Sequence, residues 1–209
     1  MYRPVLVSPP EILPVSLAEA KEQLRVDVED DDALILRMLR TAVAHLDGWG
    51  GILGQCLVEQ QWRQDFDCFG SRMRLPLGPV ISIDSIKWRN TAGVETTIAM
   101  LNYALRVDAG GRSHVRFVDA FAYPSDLAET GAVSVLYTAG YPTIPEVPAD
   151  GDTPAVPAQS TVPDDLKGAI MFHVGHLYEN REAVNIGNLS TLLPLGYDSL
   201  VEKHRRIGV

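Results

Sequence analysis

The residues best suited to metal chemistry are two histidines, His173 and His176, which stand three positions apart in a helical pattern. Histidines at this spacing share one face of a helix, and with distant carboxylates they could hold a catalytic zinc ion. No carboxylate or cysteine follows at a matching spacing, and His173 itself belongs to an apolar stripe. We therefore expect no catalytic residue, no metal and no other cofactor. A metal-dependent hydrolase, with its site assembled from His173, His176 and distant acids, stays open as an alternative.

Two further segments imitate ligand-binding loops but fail at decisive positions. The acidic run 27–32 imitates a calcium loop, which requires Gly at its sixth position and Glu at its twelfth, where this chain has Asp32 and Met38. The glycine-rich segment 48–51 imitates a phosphate loop, but no Gly-Lys-Ser/Thr follows it. We interpret the first as the acidic start of a helix and the second as a helix stop.

Charged residues near the C-terminus fall into two groups. Glu179 and Glu182 flank Arg181, which is typical of an ion-pair cluster at a helix end. The basic run 203–206 is either a solvated helix end that complements the helix dipole or a tail that docks on an acidic partner. The residues predicted to form a protein interface are Tyr178, Glu179, Arg181, Tyr197, Leu200, Lys203, Arg205 and Arg206.

Composition narrows the class of protein. The 209 residues are 46% hydrophobic and 22% charged, as in ordinary globular proteins. The net charge of −9 argues against broad non-specific binding of nucleic acid. Two cysteines, Cys56 and Cys68, can build neither a disulfide framework nor a four-thiolate zinc site, and we expect both on a strand face. We expect no signal peptide and no membrane span, hence a protein kept in a cytoplasm-like compartment.

One long amphipathic segment, 162–182, must position most of these residues. Its apolar residues follow the spacing of one buried helical face, at Leu166, Ala169, Ile170, Val174 and Leu177. Asp164 and Asp165 in the first turn and Arg181 near the end oppose the helix dipole. We expect a helix of about 17 residues, about 25 Å long. It would bring the C-terminal part of the chain back onto the N-terminal helices.

Two helices are predicted before the β region. Ser16 and Glu19 have the spacing of a capping box, so the first helix begins there and ends before the acidic run 27–32. The second helix follows that run and ends at the glycines of 48–51. Its predicted buried face consists of Ile35, Met38, Leu39, Ala42, Val43, Leu46 and Trp49.

From residue 55 the apolar period changes from 3.6 to 2, which predicts six or seven short antiparallel strands. A β-bulge near Asp84 would place Ile81, Ile83, Ile86 and Trp88 on one side.

The order of predicted helices and strands gives the fold class as α+β, with N- and C-terminal helices forming a small helical bundle around an inserted antiparallel β-sandwich or open barrel. The predicted parts are an extended arm at 1–15, helices at 16–54, the β module at 55–141, a proline-rich loop at 142–162, and helices with a tail at 163–209, with 16–209 as one domain.

Several segments together resemble one protein family. S-L-A-E-A-K-E-Q-L-R-V-D followed by D-D-D-A-L-I-L-R-M-L-R-T-A-V-A is similar to the N-terminal signature of head–tail connector, or adaptor, proteins of tailed phages. L-P-L-G-P-V-I-S-I-D-S-I-K-W, T-A-G-Y-P and V-P-D-D-L-K-G-A-I-M-F-H-V-G-H-L-Y-E-N-R-E resemble its later segments. The family includes members from prophages and gene transfer agents. The resemblance covers most of residues 15–206, without the proline-rich stretch 145–160.

This resemblance implies a non-enzymatic structural protein of the virion neck, assembled in the cytoplasm of a bacterial host. Family members form a ring, typically a dodecamer, beneath the portal protein, where it extends the DNA channel and receives a stopper or tail-terminator protein. Double-stranded DNA would pass without sequence-specific binding, and no membrane is involved. An acidic subunit suits such a channel, since phosphates are repelled. A monomeric protein-binding module remains a further alternative.

Overall fold

The computed structural model describes residues 2–149, 154–180 and 195–205. Both helices and antiparallel strands occur in them, which confirms the α+β class. The helices are α1 (Leu17–Leu24), α2 (Asp32–Leu46), α3 (Asp164–Glu179) and α4 (Leu195–Val201). The strands are β1 (Val5–Ser8), β2 (Gln60–Phe66), β3 (Met73–Arg74), β4 (Val80–Arg89), β5 (Glu95–Thr97), β6 (Tyr103–Val107), β7 (Ser113–Phe117), β8 (Val133–Ala139), β9 (Thr143–Ile144) and β10 (Gln159–Ser160).

The chain divides into two compact units. The first, called the β unit, comprises Met1–Glu11 and Glu59–Tyr141. The second, called the helical unit, comprises Ile12–Val58 and Pro142–Val209. Each unit is thus built from two separate stretches of sequence. The arm predicted at 1–15 contributes β1 to the β unit.

A five-stranded antiparallel sheet with the order β1-β2-β8-β4-β5 forms most of the β unit. Its central strand β8 alternates between buried and half-buried residues along its whole length, as a strand with one covered face does. Val133, Val135 and Tyr137 are its large buried residues. A second, three-stranded sheet has the order β3-β7-β6, and β4 contacts β6. None of the sheets in the described residues closes into a barrel.

Strand β4 contains the predicted bulge. Its pairing with β8 shifts register between Ile83 and Ser85, which lets both Ile83 and Ile86 point into the core. The extra residue, Asp84, accepts hydrogen bonds from the side chains of Gln61, Ser82 and Thr138 at 2.8–2.9 Å. The prediction for Ile81 was wrong. A second shift between Val80 and Ser82 leaves Ile81 exposed.

Helix α3 is the centre of the helical unit, because it contacts α1, α2 and α4. Four residues of the predicted stripe, Leu166, Ala169, Ile170 and Val174, are buried, and the fifth, Leu177, is half-buried. Asp164 and Asp165 lie in the first turn, as predicted from the helix dipole. The helix begins two residues later and ends three residues earlier than the amphipathic segment, since Asn180 caps its C-terminal end.

The ends of α1 and α2 follow the sequence signals. Ser16 and Glu19 form the predicted capping box, with the Ser16 N–H donating to Glu19 Oε2 at 2.7 Å and the Glu19 N–H donating to Ser16 Oγ at 3.2 Å. After α2 the chain turns so sharply that a Cβ at Gly51 would lie 2.3 Å from the carbonyl group of Leu46. Only glycine fits this approach. Trp49, predicted to be buried, is exposed because it lies in this turn, beyond the last residue of α2.

The described parts of the proline-rich loop, 142–149 and 154–162, pair with each other. Strands β9 and β10 pair antiparallel within this loop, and Val147 forms a further bridge with Val156.

Both cysteines were predicted to lie on a strand face, and this prediction was wrong. Cys56 is buried before β2, and Cys68 is exposed after it. Among the described helices, none has both the length and the apolar character needed to cross a bilayer.

Candidate protein interface

An open groove of about 570 Å³ lies on the helical unit, lined by the end of α1 and by α3. Leu24 and Arg25 line it from α1, and Met171, Phe172 and Tyr178 line it from α3. Phe172 is 42% exposed, which is unusual for a phenylalanine on the central helix of a unit. The groove therefore offers an aromatic and apolar surface to a partner.

The C-terminal end of α1 is shaped by a residue with positive φ. Arg25 adopts the left-handed conformation with φ 57°, although it is not a glycine. Its N–H donates to the Glu22 carbonyl at 3.2 Å, and the Val26 N–H donates to the Lys21 carbonyl at 3.0 Å. These bonds satisfy carbonyls that a helix end leaves open. They end α1 at the groove.

The acidic turn between α1 and α2 is fastened beside the groove. Lys21 Nζ lies 2.5 Å from Asp32 Oδ1, and the Tyr178 hydroxyl donates to Asp31 Oδ2 at 2.5 Å. Because Tyr178 also lines the groove, the turn borders it. Residues 27–30 in the middle of this turn are all exposed. The groove consequently has several acidic residues at its rim, together with the cation Arg25.

An aromatic cluster joins α2, α3 and α4 within the helical unit. The His173 ring lies 5.4 Å from the His45 ring and 5.8 Å from the Tyr197 ring, both edge-to-face. Burial, together with the charges of His45 and His176, lowers the pKa of His173. Burial raises the pKa of Tyr197 to about 12, with a smaller contribution from the Asp198 carboxylate. His173 Nδ1 and the Tyr197 hydroxyl are buried without a hydrogen-bond partner among the described residues.

The start of the basic C-terminal run is attached to α3. His204 Nε2 lies 2.9 Å from Asp165 Oδ2 in the first turn of that helix. The hydrogen bond from His204 lowers the pKa of the Asp165 carboxyl, since it favours the charged form. Lys203 and Arg205 on either side of His204 are exposed. The bond thus holds two cations at the surface.

The predicted interface residues differ in how much surface they present. Glu179, Lys203 and Arg205 are exposed, and Tyr178 and Leu200 are half-buried. Tyr197 is only 2% exposed and packs on the two histidines, so in the isolated chain it presents almost no surface. Arg181 and Arg206 lie outside the described residues. The role of this set in an interface stays a prediction.

Among the described residues, no three His, Cys, Asp or Glu side chains are grouped so that they could hold a metal ion. His176 faces Asn180 instead, with its Nδ1 atom 3.4 Å from the Asn180 side-chain nitrogen. His173 points towards the aromatic cluster. The two histidines therefore have different surroundings, as the apolar stripe indicated for His173.

Sequence reasoning missed the most exposed apolar residues of the β unit. Met100 and Leu101, in the 3-10 turn between β5 and β6, are 69% and 80% exposed. It also missed the basic outer face of the three-stranded sheet, where Arg74, Arg106 and Arg116 are exposed. The available signal was the alternation in β7, in which His114 and Arg116 interrupt the buried residues.

No protein-family model matches the sequence, and no curated protein matches it either. Three solved structures match over 100% of this chain and 97% of the matched chain. One is the virion of a native gene transfer agent particle, at 23% identity and a TM-score of 0.72. The second is the neck of an empty particle computed with C6 symmetry, at 24% identity and a TM-score of 0.72. The third is the neck of a native particle computed with C12 symmetry, at 23% identity and a TM-score of 0.70. At this identity the likeness shows the fold, and it agrees with the resemblance found in the sequence.

Proposed function

We propose that this chain is a structural, non-enzymatic virion protein that forms the head–tail connector ring in the neck of a phage-like or gene transfer agent particle. The observation that carries the proposal is the likeness of fold, over the full length of the chain, to a chain of gene transfer agent particles. A match that includes both units favours a shared role more strongly than one shared domain would.

The proposed assembly is a closed ring of identical subunits. The matched necks were computed with C6 and C12 symmetry, which favours a homo-oligomeric ring, with twelve copies as the expected number. We propose that the helices form a bundle around the inserted β module and take part in the contacts between subunits. Rings of this kind close through heterologous contacts, in which two different surfaces of each subunit meet.

The ring would join the portal protein on one side to a stopper or tail-terminator protein on the other. The C-terminal segment is the proposed contact with the portal, because Lys203 and Arg205 are exposed on a segment fastened by the bond between His204 and Asp165. Exposed cations on a fixed segment suit an acidic surface.

The ring would also extend the channel through which double-stranded DNA passes. The chain carries a net charge of −9, so a channel lined mainly by its acidic residues would repel phosphates and let DNA slide. No sequence-specific contact is required. A channel wall made mainly of arginine and lysine would contradict this part of the proposal.

Electron microscopy of purified particles tests the proposal most directly. Particles from the producing cells would be imaged with an antibody label on this chain, and the neck would be reconstructed without imposed symmetry. We expect the label at the neck and one ring of this subunit. A label on the capsid, on the distal tail or on no particle would refute the connector function.

The portal contact is tested by charge reversal. Lys203→Glu with Arg205→Glu should weaken co-purification with the portal by at least about tenfold, which corresponds to 1.4 kcal/mol. Arg37→Glu with Arg40→Glu is the matched control, because both residues are exposed on α2 of the same unit and the charge change is equal. Equal losses for the two double variants would point to net charge instead of a local contact.

A further inference from the structure

The β unit carries an exposed apolar patch that follows the edge strand of its five-stranded sheet. Met100 and Leu101 follow the edge strand β5, and they are the two most exposed large hydrophobic residues of the described chain. Exposed Val118 is held beside them, because its N–H donates to the Asn102 carbonyl at 2.9 Å. We call these three residues, Met100, Leu101 and Val118, the apolar knob. Contiguous exposed apolar residues mark interaction sites, whereas scattered ones do not.

A basic face adjoins the apolar knob. Arg74 is opposite His114 in the sheet register, and His114 is opposite Arg106, so these side chains share one face. Arg116 follows His114 by two residues and lies on the same face. Val118, Arg106 and Arg116 line one depression, which places the knob next to these cations. Asp119 lines it too and forms an exposed ion pair with Arg116 at 3.5 Å, so the face is basic on balance. Like charges opposite each other cost stability, so this face suits an acidic counterpart.

The helical unit presents features that complement the knob and the basic face. Its groove is concave and contains exposed Phe172 together with Leu24 and Met171. Its rim carries more acidic than basic side chains. Glu179 lines the groove and Asp27, Glu29 and Asp30 lie in the exposed turn beside it, whereas Arg25 is the cation that lines it. The groove volume of about 570 Å³ lies within the range of protein pockets that hold drug-sized molecules, so it has room for the apolar side chains of the knob.

We infer that the apolar knob of one copy inserts into the helical groove of the next copy, with the basic face of the first against the acidic rim of the second. The inference rests on the proposed ring and names the surfaces that close it. Because the two surfaces differ, the contact is heterologous and leaves a free knob and a free groove on each dimer, which lets the chain of subunits continue until it closes. A second copy is the expected occupant because both complementary surfaces belong to this chain.

A disulfide between the knob and the groove tests this contact in assembled particles. Leu101→Cys and Phe172→Cys are introduced together into full-length protein that also carries Cys68→Ser, because Cys68 is the exposed native thiol and Cys56 is buried. The particles are purified, oxidised and separated on non-reducing gels. We expect a ladder of covalent multimers up to the full ring, since each subunit is linked to two neighbours. Each single cysteine variant should give no species larger than a dimer.

The other outcomes contradict the inference in distinguishable ways. Particles that contain the chain but give no ladder would refute the contact and leave the connector function standing. A ladder that stops at the dimer would indicate a symmetric contact, and a covalent product with another protein would show that the knob binds a different partner. A chain missing from the particles would refute the connector function and the contact together.

A substitution in the groove separates docking from folding. Gly175 lines the groove, and a Cβ there would meet nothing within 4 Å, so a larger side chain at this position would occupy space in the groove. Gly175→Leu should keep or raise the melting temperature, because glycine weakens a helix interior, and yet reduce the ladder by at least about tenfold. Gly175→Ala fills far less of the groove and should keep the ladder. Unchanged cross-linking in Gly175→Leu would refute the contact.

The knob is tested by a charge on its most exposed residue. Leu101→Asp should lower incorporation into particles by at least about tenfold, with an unchanged melting temperature of the purified chain. Val7→Asp is the matched control, since Val7 is an exposed apolar residue in β1, at the opposite edge of the same sheet. Equal incorporation of the two variants would refute the contact.

Discussion

The helical unit and the β unit stabilise their interiors by different means. In the helical unit, α3 buries an apolar stripe that contains Leu166, Ala169, Ile170 and Val174. In the β unit, the bulge of β4 is held by Asp84, whose carboxylate accepts three side-chain hydrogen bonds. Burial of apolar area is non-directional, whereas a carboxylate network requires each donor in its place. The comparison predicts that the helical unit loses most from lost volume and the β unit from a lost acceptor.

The largest effect is expected in the core of the helical unit. Ile170→Ala should reduce the free energy of unfolding by about 2–5 kcal/mol, because a fully buried side chain is replaced by a cavity. Urea denaturation monitored by circular dichroism measures it. Phe172→Ala is the control on the same helix, since this side chain is partly exposed and should cost much less.

Hydrogen exchange in Ile170→Ala sharpens the comparison. We expect amides of α3 to lose more protection than amides of β8, because the lost packing belongs to the helical unit. Equal losses of protection in α3 and β8 would show that the two units unfold together, so their stabilities could not be compared separately.

A smaller effect is expected at the end of α2. Gly51→Ala should cost about 1–3 kcal/mol, because the added methyl group would collide with the Leu46 carbonyl and force the backbone to move. Gly50→Ala is the matched control, as its Cβ would meet nothing within 4 Å. If the two variants melt at the same temperature, the close approach of Gly51 to the Leu46 carbonyl does not require glycine at this position.

In the β unit, Asp84→Ala should cost about 1–3 kcal/mol, because three partly buried donors lose their acceptor. Asp84→Asn keeps one acceptor oxygen and should recover part of the loss. Asp119→Ala serves as the control, since it removes only an exposed ion pair with Arg116. Chemical denaturation of the three variants measures their free energies of unfolding and so ranks them. If Asp84→Ala lowers the free energy of unfolding no more than Asp119→Ala does, the hydrogen bonds to Asp84 do not stabilise the β unit.

The smallest effect is a dependence of stability on pH in the helical unit. The pKa of His173 is lowered, so the folded protein binds this proton less tightly than the unfolded chain does. As the pH falls through the ordinary histidine value of about 6.5, the unfolded chain is protonated first and the folded state loses stability.

Melting temperatures between about pH 7.5 and about pH 5.5 measure this loss. His173→Gln should show a smaller decrease than the unmodified chain, because it removes the side chain whose pKa folding lowers. An identical decrease in both proteins would mean that the loss arises elsewhere.

Much of the helical unit could be predicted, because its signals are local. The capping box at Ser16 and the stripe of α3 depend on spacings of three and four residues, which the backbone geometry of a helix translates directly into positions. The bulge near Asp84 was predicted for a similar reason. Ile81 and Ile83 have the opposite parity to Ile86 and Trp88, so both pairs can share a core only if one residue is extra. Trp49 and Ile81 were predicted wrongly because a sharp turn and a second register shift carry no such spacing.

The candidate interface was less predictable. The sequence placed charged residues at the end of α3 and in the C-terminal run, but it did not pair Tyr178 with Asp31 or His204 with Asp165, which lie 147 and 39 residues apart. The groove and the apolar knob were also missed. Exposure depends on what covers a residue, and an exposed Leu101 has the same sequence signature as a buried one.

Local order therefore follows from the amino-acid sequence alone: the α+β class, the positions of the helices and the bulged strand. The assignment of β1 to the β unit, the register of the sheets, the groove and the exposure of Met100 and Leu101 emerged only from the folded chain. The physical reason is the range of the forces involved. Helix caps and periodicity act within a few residues, whereas strand pairing and burial depend on segments that are distant in sequence and meet only on folding.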